Sequence, residues 1–207
     1  PFTGEELAWS SAFFPLVGLL LGALQATLLV ALDGLGLGPW SAAVLTVSAG
    51  LLLTGAFHED GLADTADAIG GGYTPARVLE ILKDSRIGTF GAAALTLALL
   101  LEVAALARLC PSAAGALVVI GALSRAPPVV VLAALPYATR PDRAKSKDIA
   151  EGSVRQALVA AGTGASVLVV AVAIGVVSLT FALGAAGLAG AVAAFAARRF
   201  ARSAGGI

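Results

Sequence analysis

The sequence predicts an all-α fold, a polytopic membrane helical bundle of about six transmembrane helices with a cytoplasmic acidic helical hairpin. Hydrophobic residues make up 58% of the chain and charged residues only 13%, and the mean hydropathy is +0.95. Soluble domains usually carry roughly 25% charged residues, so this composition favours a membrane protein. Because the apolar runs follow one another closely, residues 1–207 are predicted to form a single integral membrane domain.

Four apolar stretches predict the first four spans, because a helix needs about 20 apolar residues to cross the hydrocarbon core. They cover residues 7–32, 34–57, 87–107 and 109–139. The run 157–197 contains no charge, and as one helix it would be roughly 60 Å long, about twice the core thickness. We expect this run to fold back once, at residues 177–180 or at Gly184, which gives a fifth and a sixth span.

The positions of the basic residues predict the orientation. Six spans put the N-terminus, loop 58–86, loop 136–156 and the C-terminus on one side. All but two of the 13 lysines and arginines fall on that side, the exceptions being Arg108 and Arg125. The positive-inside rule therefore predicts an inner-membrane protein whose charged loops face the cytoplasm. A five-span alternative would send the basic tail outward, against the same rule.

Other classes of partner and site are disfavoured by simple counts. The net charge is zero, which argues against a nucleic-acid partner. Cys110 is the only cysteine, which excludes an internal disulfide and a cysteine-based metal cluster within one chain. Small residues such as Gly18 and Gly22 are expected to let helices approach closely in the lipid bilayer. Homo-oligomerisation is left open.

Three aspartates at helical spacing follow the second span. Asp60, Asp64 and Asp67 are spaced i, i+4, i+7, which places them within about 60° of one another on a helix. Three consecutive glycines at 70–72 then break that helix. The sequence therefore predicts a short helix with one acidic face directly beside the membrane boundary.

A second short helix is predicted to complete an acidic hairpin over residues 58–86. Thr74 is a suitable N-cap, and Pro75 suits the first helical position. Glu80 and Asp84 are i, i+4 partners away from the apolar stripe of this helix. We expect the hairpin to bring two acidic faces together.

Carboxylates held this close repel one another unless a cation neutralises them. Oxygen ligands next to phosphate-binding groups suit magnesium, with manganese as a substitute. The candidate ligands are Glu59, Asp60, Asp64, Asp67, Glu80 and Asp84. Lys83, Ser85 and Arg86 supply cations and a hydroxyl that suit a diphosphate. The alternative is a solvated loop whose acids only balance nearby bases.

Two further ionisable residues have both a functional and a structural interpretation. His58 is the only histidine, and it suits either proton transfer or a structural hydrogen bond at a helix end. Arg125 lies within the fourth span, just before Pro127 and Pro128, which should break the helix there. It is expected either to bind a substrate phosphate or to pair with Glu102 of the third span.

Two sequence blocks resemble the cobalamin synthase family, the adenosylcobinamide-GDP ribazoletransferases. They are FHEDGLADTAD at 57–67 and LEILKDSRIGTFG at 79–91, and FPLVG at 14–18 and Ser124–Arg125 are also similar to that family. The resemblance implies a magnesium-dependent membrane enzyme late in coenzyme B12 biosynthesis. The implied reaction joins adenosylcobinamide-GDP, a nucleotide-activated corrinoid, to α-ribazole or its 5′-phosphate. Its products are adenosylcobalamin, or the phosphate of it, and GMP.

On this interpretation the candidate catalytic residues are His58, Asp60, Asp64, Asp67 and Asp84, and the candidate substrate-binding residues are Lys83, Ser85, Arg86 and Arg125. Some positions depart from the family pattern. The family typically ends in Gly-Gly-x-Thr-Gly-Asp, whereas this sequence stops at Gly206–Ile207, and we expect it to be part of a longer chain. Ala68 replaces a common glycine, and loop 140–151 is more charged than the family loop.

Three other functions use acids of this kind. CDP-alcohol phosphotransferases carry Asp-Gly-x-x-Ala-Arg, but Asp64–Thr65 stand here in place of Ala-Arg. Aromatic prenyltransferases of membranes carry paired aspartate-rich motifs that begin with Asn-Asp, which this sequence lacks. A divalent cation transporter would place acids near the bilayer midplane, whereas here they cluster at the end of a span.

Overall fold

The structure, a computed structural model, describes residues 9–135 and 152–204, with side chains as far as residue 199. Within these ranges every regular element is helical and no strand occurs, which confirms the all-α prediction. After a 3-10 turn at Ser11–Phe13, the helices are α1 (Phe14–Gly34), α2 (Pro39–Thr54), α3 (Phe57–Gly71), α4 (Pro75–Ile81), α5 (Thr89–Leu109), α6 (Ala114–Leu123), α7 (Ala126–Ala134), α8 (Val154–Ala173) and α9 (Leu179–Ala204). Most of the predicted loop 136–156 lies outside the described residues.

Five helical segments are long and apolar enough to cross a membrane, and a sixth is obtained if α2 and the bent α3 count as one span. The five segments are Ser11–Gly34, Thr89–Leu109, Ala114–Ala134, Val154–Ala173 and Leu179–Arg199. The prediction of about six spans is therefore confirmed. The expected turn near residues 177–180 is found between α8 and α9, whereas Gly184 lies inside α9.

The second span differs from the prediction of a continuous helix over residues 34–57. Helix α2 ends at Thr54, and the chain then turns by 88° into α3. Gly55 and Ala56 both adopt left-handed backbone conformations, with φ of 62° and 56°. An alanine rarely adopts such a conformation, which costs roughly 1–2 kcal/mol. The left-handed conformations of Gly55 and Ala56 therefore produce the bend, which directs the acidic helix away from the axis of α2.

The fourth span breaks where the sequence predicts. Helix α6 ends at Leu123, Arg125 takes the N-cap position of α7, and Pro127 lies in the first turn of α7. Proline has no backbone N–H, and N–H groups in the first turn of a helix have no acceptor within that helix. Pro127 therefore costs α7 no internal hydrogen bond.

By its internal packing the chain divides into two compact units, Pro1–Leu24 with Gly115–Ile207, and Gln25–Ala114. In the first unit the buried Gly18 and Gly22 of α1 lie directly against the backbone of α6, at Gly121 and Leu117. This confirms close approach through small residues. Helix α7 packs against both α8 and α9. The prediction of a single domain stays a prediction.

The second unit is organised around α5, which packs against both α2 and α3. Helix α4 packs against α3, with Val78 buried against Gly72. Gly50 of α2 lies against the side-chain amide of Gln25 in α1. The acidic helix therefore rests directly on a membrane span.

Gly18→Ala tests the close packing in the first unit. A Cβ at Gly18 would overlap the Gly121 carbonyl and the Arg125 side chain, and such overpacking typically destabilises by about 1–3 kcal/mol. We expect a lower thermal midpoint in detergent, measured by loss of monodisperse protein on heating. Gly162→Ala is the matched control, because a Cβ at Gly162 would meet no atom within 4 Å. Equal midpoints for the two variants would contradict the packing described.

Candidate active site

The acidic helix α3 begins at Phe57, immediately after the bend, and carries Glu59 and Asp60 in its first turn. Acidic side chains in a first turn are stabilised by the partial positive charge at the helix N-terminus. The helix ends at the glycine run, where the Gly72 N–H donates to the Ala68 carbonyl. The predicted helix and its glycine break are thus confirmed.

Asp64 lies between Asp60 and Asp67 on the acidic helix, half-buried and outside the five segments that are long and apolar enough to cross a membrane. Its pKa is raised above the usual value, first by burial and then by repulsion from Asp60 and Asp67. Burial disfavours the charged carboxylate, and so does each neighbouring negative charge. The three aspartates predicted to share one face therefore lie close enough to influence one another.

Asp67 is engaged in a way that the sequence did not suggest. Its two carboxylate oxygens accept hydrogen bonds from the backbone N–H groups of Gly88, at 2.7 Å, and Gly91, at 2.8 Å. Both glycines belong to the start of α5. One predicted metal ligand thus joins the acidic helix to the next membrane span.

The acids of the second half of the predicted hairpin are paired with arginines. Arg86 donates to the Asp84 carboxylate through its side chain, at 2.6 Å, and through its backbone N–H, at 3.1 Å. These hydrogen bonds lower the Asp84 pKa to about 2 and raise that of Arg86. Glu80 pairs with Arg77 at 2.8 Å. Helix α4 has the predicted Thr74 cap, but a convergence of two acidic faces is not confirmed.

A preformed metal cage is absent from the part of the chain that the structure describes, where no three acidic, histidine or cysteine side chains form a suitable cluster. Some of the donor chemistry nevertheless fits a hard divalent cation. The Glu59 Oε2 atom is buried and has no hydrogen-bond partner, which is costly for a carboxylate. Asp60 is exposed. The pKa of Asp64 is raised by burial and by repulsion from Asp60 and Asp67. Glu59, Asp60 and Asp64 therefore offer carboxylate oxygens, the ligands that a hard divalent cation prefers.

The candidate phosphate-binding side chains are accessible. Lys83, Ser85 and Arg86 are all exposed in the segment between α4 and α5. Arg125 belongs to the other unit, where it donates to the Gly121 carbonyl at 2.8 Å and so caps the end of α6. Its predicted alternatives, a substrate phosphate or Glu102, stay open.

His58 is exposed at the start of α3, and its ring packs edge-on against Phe57, with centroids 5.7 Å apart. The imidazole is therefore accessible for proton transfer. Its catalytic role stays a prediction, because exposure and a ring contact suit the structural interpretation equally well.

Comparison with known proteins gives a consistent result. The cobalamin-5-phosphate synthase family matches residues 1–207. A protein of Shewanella pealeana is 40% identical over 184 residues, 86% of this chain and 71% of that protein. One of Azorhizobium caulinodans is 46% identical over 167 residues, 77% of this chain and 63% of that protein, and one of Albidiferax ferrireducens is 46% identical over 158 residues, 72% and 56% respectively.

All three relatives are named adenosylcobinamide-GDP ribazoletransferase. The chain spans less than two thirds of the length of the latter two relatives. No solved structure matches the chain.

The Asp84–Arg86 pair can be tested through the loop that contains it. Asp84→Asn is expected to speed trypsin cleavage after Arg86 by about two- to fivefold, because an exposed ion pair restrains its loop only weakly. The rate is measured by mass spectrometry of the released peptide under native conditions. Glu80→Gln is the matched control, since it breaks the Arg77 pair instead, and equal acceleration by both variants would contradict a specific restraint by Asp84.

Proposed function

Because the chain belongs to the cobalamin-5-phosphate synthase family, we propose that it transfers the cobinamide-phosphate moiety of adenosylcobinamide-GDP to α-ribazole or its 5′-phosphate. The products are adenosylcobalamin, or its phosphate, and GMP. The family match over residues 1–207 carries this proposal. The geometry supports it, because the hydrogen bonds from Gly88 and Gly91 to Asp67 join α3 to the end of an exposed segment that carries two cations and a hydroxyl.

The chemistry is a displacement at phosphorus. A ribose hydroxyl of the ribazole attacks the phosphorus linked to the corrinoid, a new P–O bond forms, and the bond to the oxygen of GMP breaks. The hydroxyl proton passes to a base, for which His58 or a carboxylate of α3 is the candidate. Cationic side chains aimed at the transferred group stabilise the charge that develops there. Lys83 would do this, and so would Arg86 once released from Asp84, with Ser85 as a further donor.

Magnesium fits the free oxygens of α3, and manganese is the closest substitute. Glu59, Asp60 and Asp64 would hold it, while Asp84 would have to exchange Arg86 for the ion. When bound, the metal would neutralise charge on the diphosphate. The chain's own contribution is to keep Asp60 and Asp64 on one helix face, with Glu59 in the same turn as Asp60.

We place this site on the cytoplasmic face of the inner membrane. The support is the distribution of lysine and arginine in the sequence, because the predicted six-span topology puts the segment between α3 and α5 on the same side as nearly all basic residues. On that side the enzyme would meet its nucleotide-linked substrate from the cytoplasm.

Asp64→Asn tests the catalytic proposal. The substitution removes one of the carboxylates proposed to hold the metal, and we expect GMP release to fall by at least about a hundredfold, because the ion would no longer be held where it neutralises charge on the diphosphate. The assay combines purified protein, magnesium, adenosylcobinamide-GDP and α-ribazole, with products separated by chromatography. Asp33→Asn is the matched control, because Asp33 lies at the far end of α1 beside Cys110. Unchanged turnover in Asp64→Asn would remove this residue from the mechanism.

The orientation has its own test. In a Cys110→Ser background, Ser85→Cys should react with a membrane-impermeant maleimide only in inside-out vesicles. Ser112→Cys is the matched control, since Ser112 is exposed at the opposite end of α5 and should react only in right-side-out vesicles. The reverse labelling pattern would contradict the cytoplasmic placement.

A further inference from the structure

One carboxylate links the acidic helix to the start of α5. Asp67 Oδ2 accepts from the Gly88 N–H and Oδ1 from the Gly91 N–H, at 2.7 and 2.8 Å. We propose that Asp67 is a positioning residue, which fixes the segment 82–88 beside the acidic face of α3, and that it is not a magnesium ligand. This inference rests on the proposed function, because that segment carries the side chains expected to bind the diphosphate.

The need for such a link follows from how helices begin. The first N–H groups of a helix have no acceptor within it. In a capping box, the side chain at the N-cap bonds to the N3 N–H, and the side chain at N3 bonds back to the N-cap N–H. In α5 the N-cap is Gly88 and N3 is Gly91, and neither has a side chain. Asp67 supplies both acceptors from another helix. Its negative charge is also stabilised by the partial positive charge at the N-terminus of α5.

The close fit explains why glycine occupies both positions. A Cβ at Gly88 would overlap the Asp67 carboxylate, and a Cβ at Gly91 would overlap it as well and lie 2.8 Å from the Ala63 carbonyl oxygen. The backbone at Gly88 is extended, with φ −93° and ψ −178°, a conformation open to other residues. Contact with α3, and not backbone strain, therefore requires glycine at these positions.

A second contact fixes the same junction. The Phe90 ring lies directly against Gly70 of α3, at the end of the helix that carries the aspartates. The start of α5 is thus held against α3 by a polar contact at Asp67 and an apolar contact at Gly70. Arg86 precedes Gly88 by only two residues, so this junction sets how far the phosphate-binding segment lies from Asp60 and Asp64.

The hydrogen bonds also make Asp67 a weaker candidate for a metal ligand than Asp64. Each carboxylate oxygen already accepts a short hydrogen bond from a backbone group, and such charge-assisted bonds are stronger than those between neutral groups. A cation on the same oxygens would withdraw charge from them and weaken the cap. Asp64, one turn earlier on α3, accepts no such bonds from the described part of α5 and is free for that role.

The cap is tested first without substrate. In detergent-solubilised protein, hydrogen exchange of the amides at Gly88 and Gly91 should be at least about tenfold faster in Asp67→Ala than in the unaltered chain, because both amides lose their acceptor. Asp64→Asn is the matched control and should leave this exchange unchanged. Equal exchange in Asp67→Ala and the unaltered chain would overturn the proposal.

The kinetic test separates positioning from metal binding. Asp67→Asn keeps one acceptor oxygen and should lower kcat/KM for adenosylcobinamide-GDP by about tenfold or more, as expected when a reacting group is misplaced. The magnesium concentration for half-maximal activity should stay within about twofold of the unaltered chain. Asp64→Asn, where activity is measurable, should raise that concentration by more than about tenfold.

Gly91→Ala approaches the same contact from the other side without changing any carboxylate. Its effect on kcat/KM should match that of Asp67→Asn, and the double variant should be no worse than either single variant, since both break one interaction. Gly162→Ala is the matched glycine control. A large magnesium shift in Asp67→Asn, or additive effects in the double variant, would overturn the positioning role.

The two proposals fail separately. If the unaltered chain releases no GMP, the proposed function fails, while the exchange experiment still decides whether Asp67 holds the start of α5. If GMP is released but exchange at Gly88 and Gly91 does not depend on Asp67, the positioning role fails and the proposed function stands.

Discussion

The hydrogen bonds from Gly88 and Gly91 to Asp67 join the acidic helix to the start of α5. The buried residues of the acidic helix are Ala63 and Ala68, and burial contributes about 0.8 kcal/mol per methylene-sized group. A hydrogen bond to a charged group contributes about 1.5–3 kcal/mol, with the bond to the exposed Gly88 at the lower end. Because α3 turns 88° away from α2, this polar contact with α5 carries much of its orientation. The position of Asp60 and Asp64 relative to the phosphate-binding segment depends on it.

Structural features that depend on residues close together in the sequence can be predicted from the sequence. Apolar run lengths predicted the spans, the spacing of Asp60, Asp64 and Asp67 predicted an acidic helix face, and Pro127 predicted the break after Arg125. These patterns involve hydrogen bonds and packing over a few residues, which propensity and periodicity describe well. The Thr74 cap of α4 belongs to the same class.

Structural features that depend on contacts between residues far apart in the sequence cannot be predicted in this way. Asp67 and its glycine partners are separated by 21 and 24 residues, and no local rule connects an aspartate with a helix start that far along the chain. The one available signal was a helix start with glycine at both N-cap and N3, which leaves two N–H groups that need an outside acceptor. The left-handed conformation of Ala56 could not be predicted either, because alanine normally favours continuation of a helix.

The charges of the second unit separate into satisfied and unsatisfied groups. Glu80 and Asp84 are neutralised by Arg77 and Arg86, and the Asp67 carboxylate keeps its charge but accepts two backbone hydrogen bonds. Within the described residues, Glu59, Asp60 and Asp64 form no ion pair. Asp64 is also repelled by the negative charges of Asp60 and Asp67. The helix N-terminus compensates only part of this charge, about half an elementary charge. The remaining excess supports a cation as the missing partner on this face.

No preformed cage occurs among the described residues, so the proposed cation site would need further ligands supplied by exchange. The Asp84–Arg86 pair is exposed, and exposed pairs contribute little to stability. A diphosphate offers Arg86 more negative charge and more acceptor oxygens than one carboxylate does. Binding of such a substrate would therefore draw Arg86 away and release Asp84 toward the cation, so that the complete site would form only with substrate in place.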